Sequence, residues 1–169
     1  METWSKIRSK LEKEYLAQSL RGHITYFATS YRKCHDHEGR AAILYDGVEI
    51  LSSNYYEHMI SQSINWNKIK DDKLERLESS SLNNWRKAFE EALNEGIFDQ
   101  HYFYNAFQEF DNQSIDQSLA SKNPLVRLFA ILDRRVGKRK LIKIKDNIEK
   151  ELDWLKPFYL LRFEAESIS

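Results

Sequence analysis

The chain predicts an α+β fold: an N-terminal helix and a three-stranded antiparallel β-meander packed against a C-terminal multi-helix bundle. Three observations lead there. Aromatic and β-branched residues alternate between about residues 23 and 53, around the hairpin signal Asp46-Gly47, whose two-residue turn needs positive φ. From Leu82 onward apolar residues recur at spacings of three and four, punctuated by the helix-start residues Asp99, Ser114 and Asn123. Only five Gly and two Pro occur in 169 residues, which favours long regular elements.

The elements follow in order. Thr3 can cap a first helix in which Trp4, Ile7, Leu11 and Tyr15 form one face; it is expected to run to about Leu20, with Gly22 ending it. His23–Arg32 reads as the first strand. Ile24, Tyr26 and Ala28 face one side and Thr25, Phe27, Thr29 and Tyr31 the other, so both sides should be at least partly covered. Lys33–Gly39 is a polar turn and Arg40–Tyr45 the second strand. The Asp46-Gly47 turn sets Tyr45 opposite Val48 and Ile43 opposite Ile50. Asn54 with Glu57 has capping-box spacing, and Tyr56, Ile60 and Ile64 recur every four residues, which predicts a short helix. Asn65–Ser81 is polar and reads as a flexible connection inside the domain, with a weak helical piece over Asp72–Glu78. The chain is thus one domain, 1–169, made of a helix plus meander (1–53), an irregular or helical connection (54–81) and a helical part (82–169).

In the helical part, Leu82, Trp85, Phe89 and Leu93 share a face and Gly96 stops the helix. Asp99 caps the next, whose Tyr102, Phe103, Ala106, Phe107 and Phe110 point inwards, and Ser114 caps a short one. The core helix starts at Asn123-Pro124, a capping residue followed by a proline whose missing N–H costs nothing at the first position. Leu125, Leu128, Phe129, Leu132 and Val136 form its inner face, widened by Val126 and Ala130; Arg127, Ile131 and Arg134 lie opposite. Arg127 is either solvated or buried against an acid such as Glu164 or Glu166. Gly137 is expected as the left-handed residue after the helix, with Arg134 and Arg135 in its last turn. Leu141, Ile144 and Ile148 predict a helix to about Leu152, with Lys145 and Glu149 at ion-pair spacing. Pro157 should push Lys156 out of the α region and restart a last helix with Phe158, Leu161 and Ala165 inside and Arg162 and Glu166 paired on its surface.

NPLVRLFAILDRRVGKR and PFYLLRFEAE, with RGHITYFATSYR, Gly39-Arg40 and Asp46–Ile50 upstream, resemble a family of small bacterial proteins with no assigned activity. The resemblance covers most of the chain except about Asn54 to Ser81. It implies a bacterial, single-domain protein and carries over no catalytic residue.

Composition limits function. Lys+Arg and Asp+Glu are equal at 26, so no global charge steers the chain to nucleic acid or a membrane surface. Hydrophobic residues make up 41% and aromatics 13%, enough for a real core. A single cysteine excludes an internal disulfide, and no apolar run of about 18 residues or leader-like segment occurs, so the cytoplasm is the expected compartment.

Local clusters remain. Arg134, Arg135, Lys138, Arg139, Lys140 and Lys143 gather at Gly137 as a candidate nucleic-acid or anion surface, although helix-end chemistry and a solvated face account for the same residues. Thr29, Tyr31, Arg32 and Arg40 are a candidate anion pocket, weighed against pairing with Asp36 or Glu38. Cys34-His35-Asp36-His37 contains metal-ligand types without a third and fourth ligand at a recognisable spacing, so no metal and no cofactor is expected. The functional expectation is a non-catalytic protein that binds another protein. The alternative is nucleic-acid or anion binding at the basic corner, and the third an enzyme of unrecognised type.

Overall fold

The computed structural model describes residues 2–31, 33, 38–72 and 78–168, except the side chains of 70–72 and 78–82. It has an N-terminal helical segment, an antiparallel sheet in the order β1-β2-β3 and then a succession of helices, the α+β fold predicted.

The first helix is shorter than its periodicity implies. α1 (Trp4–Ser9) passes into a wider π-type stretch, Lys10–Tyr15, and Leu16 leaves the helix with extended angles (φ −54°, ψ 134°). The backbone there has a better partner than another helical turn. Leu16 bridges Asp133, Ala17 N–H donates to the Leu132 carbonyl at 2.9 Å, and Arg134 N–H donates to the Tyr15 carbonyl at 2.8 Å. Only a single 3-10 turn, Gln18–Leu20, follows.

The sheet comprises β1 (Ile24–Ser30), β2 (Gly39–Tyr45) and β3 (Val48–Asn54). Asp46 and Gly47 carry the positive φ values, 48° and 82°, that a two-residue hairpin needs, and Tyr45 pairs with Val48 as expected. The register then shifts between Ile43 and Leu44, so Ile43 faces Leu51 and not Ile50. This bulge leaves Ile50 exposed. Ile24, Tyr26, Ala28, Ala41 and Ile43 enter the core, whereas the second face is covered only in part: Thr25 and Thr29 are half-buried, Phe27 and Tyr31 exposed. Gly39 is required by close approach. A Cβ there would stand 2.1 Å from the Thr29 carbonyl oxygen and 2.5 Å from the Gln100 side chain. The turn expected at Lys33–Gly39 lies largely outside the described residues.

The helices follow directly. α2 (Tyr55–Asp72) and α3 (Glu78–Asn94) extend the short helix expected after Asn54 through most of the irregular or helical connection at 54–81; the helical piece expected over Asp72–Glu78 lies largely outside the described residues. α4 (Gln100–Asp111), α5 (Ile115–Leu119) and α6 (Pro124–Leu132) begin at the predicted caps. Asp99 accepts from Tyr102 N–H, Ser114 and Gln117 form a reciprocal capping box, and Asn123 accepts from Leu125 N–H. Every residue of α6 except Arg127 is buried, Ile131 included. Phe129 ties the layers together: its ring lies 6.0 Å from Tyr26 on the sheet and 5.1 and 5.7 Å from Phe103 and Phe110 on α4.

After Leu132 the chain departs from the predicted pattern. Asp133 is extended and fully buried, so Arg134 and Arg135 lie beyond the helix. Gly137 has φ −76° and is the N-cap of α7 (Lys138–Lys145), not a left-handed helix end. α7 stops at Lys145, which leaves Glu149 in a separate 3-10 turn (Ile148–Lys150), closer to Lys156 than to Lys145. Lys156 opens α8 (Lys156–Ala165), since a first-turn position tolerates the proline that follows it. The buried face of α8 is Phe158, Tyr159, Arg162 and Phe163. The Arg162–Glu166 pair, 2.5 Å, is therefore largely internal. Arg127 forks onto Glu151 at 3.0 and 2.7 Å, and not onto Glu164 or Glu166; Tyr159 donates to the same carboxylate at 2.9 Å.

Two stability predictions follow from α6. Leu128→Ala should cost about 2–5 kcal/mol and Phe129→Ala at least as much, read by urea unfolding, because each truncation leaves a cavity in a fully packed site. Arg127→Ala should cost about 3–5 kcal/mol by the same measurement, since it strands the half-buried Glu151 carboxylate.

Candidate functional site

α2 presents its faces the wrong way round for a core helix. Asn54 caps it, its Oδ1 accepting from Glu57 N–H at 3.0 Å. Tyr56, Ile60 and Ile64 repeat every four residues as the sequence implies, yet they are 61%, 62% and 50% exposed, with Met59 beside them. The face turned inwards is polar: His58 (1% exposed), Ser61, Gln62 and Asn65. The helix starts with no intervening loop after β3, and the neighbouring Ser53 is itself buried, its hydroxyl accepting from Phe98 N–H at 2.9 Å. The strand end thus sets the rotational phase of the helix against the apolar preference of its residues.

The inward face meets α3 and the start of α4. The His58 ring stacks on Phe89 (5.2 Å between centroids) and tilts against Tyr102 (4.8 Å). Its Nδ1 lies 3.7 Å from the carboxylate of Asp99, the residue that caps α4. Ser61 donates to Glu95 at 3.2 Å and Asn65 to Ser61 at 3.4 Å. Neither ring nitrogen of His58 nor Nε2 of Gln62 has a hydrogen-bond partner among the described residues. Burial pushes the His58 imidazole below its ordinary range and the Asp99 charge pushes it part of the way back. The cluster acts as a polar clasp between the α2–α3 pair and the body of the protein.

The basic residues near Gly137 divide. Arg135 is committed to the buried Asp133, with Nε and Nη2 at 2.9 and 2.7 Å, and its guanidinium lies over the rings of Tyr15 and Phe110. Lys140 pairs with Asp116. Arg134, Lys138, Arg139 and Lys143 are exposed. Lys140 and Lys143 converge with Lys150, which the sequence reading did not include, on a groove of about 320 Å³ floored by Leu119, Ile144 and Ile148.

Of the second set, Thr29 and Arg40 are register partners, and Arg40 is engaged by Glu49 and lies over the Phe27 ring. Tyr31 and Arg40 line a recess of about 220 Å³ with Glu38, Asn54 and Tyr56. Arg32 and the Cys34–His37 segment lie outside the described residues. Among the described residues no three of His, Cys, Asp and Glu converge as metal ligands, and no helix is long and apolar enough to cross a membrane. A cleft of about 800 Å³ is open and runs from Glu90 and Asn94 past Glu109 and Gln113 to Asn123. Glu109 there is already engaged by Ser121 (2.6 Å) and Gln113 (3.3 Å).

The sequence reading identified Tyr56, Ile60 and Ile64 but assigned them no functional role. The available signal was the opposite face of the same helix, where His58, Ser61, Gln62 and Asn65 repeat at the same spacing.

The model of the SF0329 protein family matches residues 3–163. No curated protein and no solved structure matches the chain.

His58 generates a pH prediction. Its folded-state affinity for protons is depressed, so the unfolded chain takes up the proton first as pH falls through the ordinary value of 6.5. Its contribution to stability is complete above that value and is lost on acidification towards the folded pKa. Between about pH 7 and pH 5 the urea midpoint should fall more steeply for the parent protein than for His58→Leu.

Proposed function

This chain belongs to the SF0329 protein family, and we propose that it is a non-catalytic binding protein that docks another polypeptide on the exposed face of α2. The observation that carries this reading is the line of Tyr56, Met59, Ile60 and Ile64 in solvent on a helix whose polar side chains are buried. Apolar side chains contiguous along one helix face mark a contact surface, because their removal from water is a driving force that scattered exposed residues lack. A helix face of this kind is recognised through anchors at i, i+4 and i+8, the spacing of Tyr56, Ile60 and Ile64. The single cysteine supports a cytoplasmic setting, and the family resemblance implies a bacterial one.

A second reading, anion or nucleic-acid binding, is favoured by the groove that brings Lys140, Lys143 and Lys150 together. It requires affinity for an oligonucleotide to fall with salt, with a log–log slope on the order of one per phosphate contacted.

A photoreactive residue at position 60 should crosslink to a discrete polypeptide in cells, and one at the exposed Gln108 on α4 should not. Equal labelling from both positions would rule out the α2 surface. Ile60→Asp should abolish specific capture while changing stability by no more than about 0.5 kcal/mol, as an exposed substitution does.

A further inference from the structure

Building on the reading that α2 docks a polypeptide, we infer that the partner is a second copy of this chain, its α2 laid antiparallel across the first about a two-fold axis. The exposed face of α2 is self-complementary in that arrangement and in no parallel one. Glu57 and Lys68 lie on one flank of the apolar stripe, both exposed and neither in an ion pair among the described residues. Met59 and Trp66 lie on the other flank. Ile60 and Ile64 occupy the seam between them.

Positions 57 and 68, 59 and 66, and 60 and 64 share one midpoint to within a residue. A two-fold axis through that midpoint preserves the flank and reverses the helix direction, so each residue meets its counterpart on the same side. Glu57 then faces Lys68 of the second copy, twice over by symmetry. Met59 faces Trp66, a favourable sulfur–ring contact. Ile60 meets Ile64 across the axis. A parallel pairing exchanges the flanks, so Glu57 and Lys68 would face the Met59–Trp66 flank of the second copy and gain no charged partner.

Trp85 of α3 extends the surface. It is 39% exposed and lies edge-on to Trp66 at 5.2 Å, so the Met59 flank continues onto a second helix and the contact area exceeds that of one stripe. The polar clasp at His58 holds the rest of α2 to the body, which presents the stripe outwards in a fixed orientation.

Sedimentation of the full chain tests the pairing. The parent protein should approach twice its mass of 20.2 kDa as concentration rises. Ile60→Asp should remain monomeric and match the urea midpoint of the parent at dilutions where the parent is also monomeric. Glu57→Lys and Lys68→Glu should each weaken association about ten-fold, since each reversal turns two attractive contacts repulsive. The double reversal, Glu57→Lys with Lys68→Glu, should recover affinity to within about three-fold of the parent. A parent protein monomeric at about 100 μM, within the range weak homodimers occupy, would overturn the self-pairing. So would a double reversal that fails to recover. Crosslinks from position 60 to a different protein, in a chain that stays monomeric, would leave the binding reading intact and remove only its assignment to a second copy. Absence of any specific crosslink would remove both.

Discussion

The burial of α6 on every side is the constraint on which the rest of the structure depends. A helix with one wet face needs a partner on one side only; α6 needs the sheet, α4, α5 and α8 together. Phe129 shows how this is met, since one ring touches Tyr26 of the sheet and Phe103 and Phe110 of α4. Burial also decides how the helix ends. With its C-terminus buried, the Leu132 carbonyl is taken by Ala17 N–H, and the Asp133 carboxylate by the backbone and guanidinium of Arg135. The N-terminal segment gives up its last helical turns to supply that partner. Two departures from the sequence pattern, the early end of α6 and the early end of the first helix, thus share one cause.

Equal numbers of acids and bases on this chain do not mean an inert surface. Several contacts hold elements together that are distant in sequence: Lys10 and Tyr15 on Asp111, Arg127 on Glu151, and Arg162 on Ser19. These pairs are partly shielded from water, where removing one partner is far more costly than at the surface. Cations committed in this way are unavailable to ligands, which is why Arg135 stands apart from Arg134, Lys138, Arg139 and Lys143. Lys140 and Lys143 of the basic corner line one groove, together with Lys150.

α2 shows the opposite economy. Its buried face carries an imidazole, a hydroxyl and two amides, and its exposed face carries the apolar residues that would ordinarily fill a core. Such a helix gains little from burial of its own side chains. It is held by ring contacts of His58 with Phe89 and Tyr102 and by its direct continuation from β3. The same cluster that fixes the helix leaves its apolar face in solvent.

Features set by near neighbours were legible in the sequence. The caps at Asp99, Ser114 and Asn123, the Asp46-Gly47 turn and the buried stripe of α6 each depend on residues within a turn of one another, and each is where the residues imply. Features that depend on distant partners were not. The pairing of Ile43 with Leu51 needed a bulge that no spacing announces, and Gly137 became a helix start because Asp133 was drawn into the core. For the candidate surface, periodicity alone established that Tyr56, Ile60 and Ile64 share a helix face. Which way that face turns was decided by tertiary structure, because a helix fused to a strand inherits its phase from the strand end and from what the opposite face can stack against.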